Sequence, residues 1–319
     1  MTNAVQGGEE PEFPPPELLE RLRRTLPPER LEAFLESTDR ERTTSIRVNT
    51  LRSETESVRE RLGADGIETT PVEWCPDALL VNTDARALQE TQAWNQGMFH
   101  IQSLSSIATA PVLEPRPGER ILDMCAAPGS KTSHLAALMN NEGTLVANDL
   151  SKSRMHRMRA ILEHLGAEAR TRLGPGEQIG HREPASFDRV LLDAPCSGEG
   201  RIRRAEPGSW TRWRATTPRR RGSRQKSLLH SAIDAVRPGG VVVYSTCTFA
   251  PEENELVLQR ALKRYEDRIE LEPIPMTIPG ALAPLRSWND KALPDLQHAR
   301  RLAPPGMDGF FIARLRRIA

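Results

Sequence analysis

Two of the four cysteines stand where apolar runs turn polar: Cys196 in "DRVLLDAPCSGEG" and Cys247 in "VVVYSTCTFAPEENE". A thiol attacks as its thiolate, and at its free pKa of about 8.5 only a few per cent is ionised at neutral pH. A reactive cysteine therefore needs a cation beside it. A third run, "LDMCAAPGSKT", carries Lys131, the only lysine in the three loops, while Asp193 lies just ahead of Cys196. This set suits one demanding reaction, alkylation of carbon 5 of cytosine. A thiolate added at carbon 6 makes the ring enamine-like and nucleophilic, and a base then removes the carbon 5 proton so that the thiolate can leave. Asp193 can hydrogen-bond the amino and ring-nitrogen edge of a pyrimidine. One such cysteine alone would read as a small buried hydrophobe. Two at strand tips read as chemistry, although the residues themselves do not rank them.

The third run also outlines a ligand loop. Cys125, Ala126, Ala127, Pro128, Gly129, Ser130 and Lys131 are mostly small and lead into a helix, so backbone amides can approach a carboxylate or phosphate. GxxxxGK[ST] and GxGxxG are both absent, which disfavours a nucleoside triphosphate. Asp149 follows about 20 residues later, where an acid commonly holds ribose hydroxyls. A ligand with a carboxylate and a ribose fits both features, and S-adenosylmethionine (SAM) is the obvious candidate.

These residues need a scaffold that brings strand tips together. From about residue 119, strands at 120–125, 144–150, 168–173, 188–195 and 241–247 alternate with helical patterns, and residues 309–317 close the series. Such alternation predicts a parallel α/β sheet with helices on both faces, its ligands beyond the carboxyl ends of the strands. Asp123, Lys131, Asp149, Asp193, Cys196 and Cys247 would then face a shared crevice. The helical pattern "QKSLLHSAIDAVRPGG" ends, on this reading, at its glycines. Nearer the amino terminus, leucines at helical spacing flank Pro27-Pro28, and "TSIRVNT", "TTPVEW" and "ALLVNT" read as short strands around a helix at 53–66. The expected organisation is a disordered tail over 1–16, an N-terminal α+β unit over 17–95 and a catalytic domain over 96–319.

The totals exclude several classes. Formal net charge is +1, so any basic surface is local. No apolar run approaches the roughly 20 residues of a membrane span, and the acidic start lacks a signal core, which points to the cytoplasm. The cysteines form no CxxC pair and the seven histidines no ligand pair, so free thiols and no metal are expected.

Together, "LDMCAAPGSKT", "VANDL", "DRVLLDAPCSGEG", "QKSLLHSAI", "PGGVVVYSTCTFAPEENE" and "DGFFIARL" resemble the RsmB/NSUN (Sun/Fmu-like) family of RNA cytosine-5 methyltransferases. "SIRVNTLR" and "GMFHIQSLSSI" are similar to its amino-terminal part, so the likeness runs over roughly residues 44–319. It implies a Rossmann-like SAM-dependent methyltransferase fold. It also implies that Cys247 is the nucleophile, Cys196 assists release of methylated RNA, and Lys131 and Asp193 contact the cytosine. Residues Cys125 to Lys131 would form the SAM loop, with Asp193 at its edge and Asp149 on the ribose. The family's acid after the third strand is missing from this sequence, where only Glu177 and Glu183 are available.

Residues 201–226 are crowded with arginine and include Trp210 and Trp213. Arginines neutralise phosphates and tryptophans stack bases, so this stretch is the expected RNA contact. The expected substrate is structured RNA, ribosomal ahead of transfer RNA, acted on by a monomer. Two other readings are a DNA enzyme using Cys196 and a non-catalytic RNA clamp for ribosome assembly; the intact pair of cysteines, Lys131 and Asp193 favour the RNA enzyme.

Overall fold

The computed structural model describes residues 12–40 and 43–319, and its strands and helices are those of the described residues. Of the tail expected over 1–16, residues 1–11 lie outside them, and Pro16 opens the first helix, Pro16–Thr25.

Four short strands build the N-terminal unit: β1 (Thr44–Val48), β2 (Thr69–Pro71), β3 (Ala78–Val81) and β4 (Phe99–Ile101). They pair antiparallel in the order β2-β3-β1-β4. Side chains alternate across a strand, and β1 uses both faces. Ile46 and Val48 enter the unit's own core with Val58, Leu62 and Phe99. Arg47, on the other face, reaches Ser130 O (2.6 Å) and Ser133 Oγ (2.9 Å) at the start of the helix Ser130–Leu138. The expected boundary at residue 95 cuts this sheet, because β4 lies beyond it. Three residues are too few to display alternation, so β4 left no periodic signal.

The second sheet contains β5 (Arg120–Asp123), β6 (Thr144–Asp149), β7 (Arg170–Leu173), β8 (Phe187–Asp193), β9 (Val236–Thr246) and β10 (Ile269–Glu272). After a small hairpin, β11 (Ser287–Trp288) with β12 (Lys291–Ala292), the chain adds β13 (Arg300–Leu302) and β14 (Phe310–Arg317). The order is β10-β14-β9-β8-β5-β6-β7, with β13 on β14. Strands β5 to β9 run parallel, and β14 pairs antiparallel with β9, β10 and β13. The chain winds from β5 toward β7 and then returns to β8 on the other side. This reversal opens a crevice at the carboxyl ends of β5 and β8.

Helices cover both faces. Lys152–Leu165 shows why: Met155, Met158, Leu162 and Leu165 recur at three and four residues and are buried, Ser151 Oγ accepts from Arg154 N (3.4 Å), and Gly166 ends it at φ 67°. The helix Thr217–Ala235 differs from expectation at both ends. It stops at Ala235, before the glycines, which belong to the start of β9; it begins within the arginine stretch, where Pro218 suits a first turn and arginine is a good helix former.

The helices Pro16–Thr25 and Pro28–Asp39 pack away from the N-terminal sheet. Their Leu18, Leu22 and Phe34 form one cluster with Ile202, Trp210, Trp213 and Phe249 of the catalytic domain. Trp210 and Trp213 are 5% and 6% exposed, so neither is available to stack a base. Their expected role is thereby corrected. Arginine neighbours suggested a nucleic-acid surface, but the apolar partners come from helices far away in sequence.

Candidate active site

Beyond β5, the chain turns through Cys125 to Gly129 and enters the helix Ser130–Leu138. Gly129 sits at φ +112°, and a Cβ there would come within 3.1 Å of Met158 Cγ, so glycine is required. Ala126 N donates to Asn148 O (2.8 Å), and Ala127 N donates to Asp149 Oδ2 (3.2 Å). The other Asp149 oxygen accepts from Ser151 N (2.9 Å), while Arg154 pairs with this carboxylate (3.3 Å) and donates to Ala127 O. The loop and the β6 tip are thus one hydrogen-bonded unit. Pro128 lies within it, and Ser130 Oγ meets His100 Nε2 of β4 at 2.9 Å. Cys125 is partly buried, packed against the sheet's core, with its thiol pushed up by burial.

Asp123, expected to face the crevice, is buried beneath the loop. It accepts from Thr132 Oγ1 (2.7 Å), and desolvation pushes its carboxyl up to about 7. At the third strand, Glu177 pairs with Arg224 (2.6 Å) and keeps a buried oxygen without a partner, as Asn148 does. Glu183 lies away from the crevice, paired with Arg120 (3.0 Å) and Arg172.

The tips of β8 and β9 bring the remaining residues together. Lys131 Nζ donates to Asp193 Oδ2 (2.7 Å), and Ser245 Oγ donates to the other oxygen (2.9 Å). The Phe310 ring lies 5.6 Å from the ammonium. Cys196 Sγ and Cys247 Sγ are 2.8 Å apart, both as free thiols. The Cys196 hydrogen bond favours ionised Cys247 and holds its pKa below the ordinary value, and the nearby charges of Arg201 and Lys131 act the same way. Cys196 is pushed well up by that bond and by burial.

Behind the thiols lies a buried polar network that sequence reasoning missed. Glu253 accepts from Ser197 N (2.9 Å) and Gln225 Nε2 (2.8 Å), and desolvation raises its carboxyl to about 7. Ser197 Oγ meets Thr248 Oγ1 (2.8 Å), which donates to Glu199 Oε2 (3.0 Å); Trp213 Nε1 donates to Glu199 Oε1 (3.1 Å). The available signal was the run of acids in "APEENE", unusual directly after a buried strand. Arg154 also escaped notice, one arginine among many, and Arg201 was included only as part of the stretch 201–226. Among the described residues, no group of three or more His, Cys, Asp or Glu could hold a metal ion, and no helix is long and apolar enough to cross a membrane.

An open α/β sheet with a glycine-pinned loop after its central strand and an acid on the next defines the Rossmann-like methyltransferase class. Two carboxylates, Asp149 and Asp193, at the tips of β6 and β8 suit a ligand with hydroxyls and a positive charge, as SAM is. The sequence profile of the 16S rRNA methyltransferase RsmB/F matches residues 110–316, and that of the N-terminal domain of 16S rRNA methyltransferase RsmF matches residues 15–104. Ribosomal RNA small subunit methyltransferase F of Shigella flexneri serotype 5b is 38% identical over 261 residues, 79% of this chain and 52% of the relative. The protein of that name from Escherichia coli O139:H28 gives the same figures. The chain therefore spans about half the length of the curated relatives it matches. A solved methyltransferase homolog from Pyrococcus horikoshii has TM-score 0.77 at 30% identity, covering 95% of this chain and 99% of that one. NSun6 from Pyrococcus horikoshii, solved with the SAM analogue SFG, has TM-score 0.82 at 23% identity over 96% and 98%, a likeness of fold. The chain belongs to the RsmB/F family of SAM-dependent methyltransferases.

Proposed function

We propose that this protein methylates carbon 5 of a cytidine in small-subunit ribosomal RNA, with Cys247 as nucleophile. The observation that carries the reading is the thiol pair, 2.8 Å apart, with the Cys247 thiolate favoured and Cys196 kept protonated. The names of the relatives support ribosomal RNA as the substrate.

In this reading the Cys247 thiolate adds to carbon 6, and Asp193, held by Lys131 and Ser245, hydrogen-bonds the amino and ring-nitrogen edge of the base. SAM, when bound, supplies an electrophilic methyl group. The loop from Cys125 to Lys131 would hold it with Asp193 at the loop's edge, Asp149 would take the ribose hydroxyls, and Glu177, paired with Arg224, would be the acid available to the adenine amino group. Once carbon 5 carries the methyl group, a base removes its proton and the bond to Cys247 breaks. Cys196, adjacent to that bond, assists release. The N-terminal unit positions the RNA, while exposed arginines in 201–226 contact phosphates.

A Cys196→Ala variant incubated with SAM and 30S ribosomal RNA tests this division of labour. The expected result is a protein–RNA adduct on a denaturing gel that a Cys196→Ala, Cys247→Ala double variant does not form. No adduct with methylation intact would overturn the assignment of the two cysteines; a wild-type protein that leaves 5-methylcytidine absent from that RNA would overturn the substrate.

A further inference from the structure

The cations around the crevice are almost all committed to acids. Lys131 pairs with Asp193 (2.7 Å), Arg203 with Asp308 (3.1 Å), Arg154 with Asp149 (3.3 Å) and Arg224 with Glu177 (2.6 Å). Arg201 is different. It is exposed, and among the described residues its guanidinium forms no hydrogen bond or ion pair.

Its position is nevertheless fixed. Arg201 closes the turn Glu199–Arg201 that follows the Cys196 loop, with its own N donating to Gly198 O (2.9 Å). Gly200 N donates to the carbonyl of Cys247 (3.1 Å), and Gly309 N donates to Gly200 O (3.1 Å). A Cβ on Gly200 would lie 2.1 Å from Gly309 O, so the two backbones meet with no room for a side chain. The backbone that carries the free guanidinium is therefore tethered one residue from a hydrogen bond to the nucleophile's own peptide. The groups whose charge bears on it are Cys247, Asp308, Cys196 and Asp193. Those bearing on Cys247 are Cys196, Asp193, Arg201 and Lys131, and Lys131 is the cation already paired.

We propose that Arg201 is a substrate-binding residue with two successive partners: its charge favours the Cys247 thiolate in the free protein, and it then takes a backbone phosphate beside the target cytidine. This rests on the reading of Cys247 as nucleophile toward RNA. A cytidine seated with carbon 6 at Cys247 carries a phosphate on each side of its nucleoside, and Arg201, exposed and one residue from the Gly200–Cys247 contact, is the uncommitted cation to meet one. A thiolate offers the guanidinium one sulfur, whereas a phosphate offers two oxygens in the geometry a guanidinium fork matches.

Two measurements on Arg201→Gln and Arg201→Lys test it. Iodoacetamide labelling of Cys247 against pH, resolved by peptide mass, reads the thiolate. Binding of a cytidine-containing single-stranded RNA of about 12 nucleotides across a salt series reads the phosphate contact. Arg201→Gln should raise the labelling midpoint by roughly one pH unit and reduce the salt slope by about 0.7. Arg201→Lys should restore most of both, and Arg212→Gln, an exposed neighbour, should leave the midpoint in place. An unchanged midpoint in a folded Arg201→Gln protein would overturn the thiolate partner, and an unchanged slope the phosphate partner. Both readings are independent of methyl transfer, so a wild type inactive on ribosomal RNA would sink the proposed function and still leave Arg201 decided.

Discussion

The two flanks of the crevice are built by different means. At the tips of β5 and β6, backbone amides of Ala126, Ala127 and Ser151 are tied to Asn148 O and to the Asp149 carboxylate. At the tips of β8 and β9, buried side chains do the work: Cys196, Cys247, Glu199 and Glu253 lie close together, and burial or hydrogen bonding shifts each one's protonation. One flank is a shaped cradle whose loop amides are tied down, with one buried oxygen each of Asp123 and Asn148 left without a partner. The other holds titratable groups away from water, where their proton positions can be controlled. Binding calls for the first construction and covalent chemistry for the second.

The sharpest way to break this comparison is to remove the proposed nucleophile. Cys247→Ala should lower methyl transfer by more than about 10⁴-fold while SAM binding, followed by isothermal titration, stays near wild type. A parallel loss of SAM binding would mean that the flanks are not separable. Next in size is Trp213→Ala. The thiol flank leans on the helices Pro16–Thr25 and Pro28–Asp39 through the cluster around Trp213 and its bond to Glu199. Truncation should cost about 3–5 kcal/mol in urea unfolding; a cost under about 1 kcal/mol would mean this cluster contributes little.

Much of the cradle was legible in the sequence, and the reason is its locality. Loop, helix start and the acid at the β6 tip follow one another within two strands, so spacing alone connects Gly129, Lys131 and Asp149. The thiol flank was legible only in its most reactive members. Cys196 and Cys247 stand at visible strand tips, but Gln225, Glu253 and Trp213 join the network behind them from other elements, and no periodicity relates such residues. The tryptophans show how this misleads. An aromatic among arginines reads as a stacking surface until helices some 180 residues earlier, at Leu18 and Phe34, are found packed on it. Strand β4 was missed for a different reason, its three residues being too short for any pattern.

The buried carboxyls make the thiol flank sensitive to pH in a defined direction. Glu253 titrates near 7 in the folded protein against about 4.5 when unfolded, so between these values the folded state binds the extra proton. Stability contributed by this group is therefore full below about pH 4.5 and declines as pH rises through 7. Glu253→Gln, which cannot ionise, should lack this decline, so its stability relative to wild type should improve by up to about 3 kcal/mol from pH 5 to pH 8. Asp123 shares the same direction, but it is present in both proteins and cancels from the difference. A constant difference across that range, measured by urea unfolding at each pH, would show that Glu253 is ionised throughout.

The smallest expected effect is the most specific to the cradle. Asp149 accepts two backbone N–H groups and faces Arg154, yet a carboxylate has about four lone-pair sites, so capacity remains for ribose hydroxyls. Asp149→Asn preserves the shape and removes the charge. SAM affinity should fall about tenfold, worth about 1.4 kcal/mol, and the thermal midpoint of the free protein should fall as well, because the amide NH2 must face one of the N–H groups that the two carboxylate oxygens accept. The labelling midpoint of Cys247 should barely move, because the charges that act most on that thiol are those of Asp193, Arg201 and Lys131. If Asp149→Asn shifted the thiol as well, the cradle would be part of the electrostatic field that sets the nucleophile, and the division between a binding flank and a chemical flank would give way to a single coupled site.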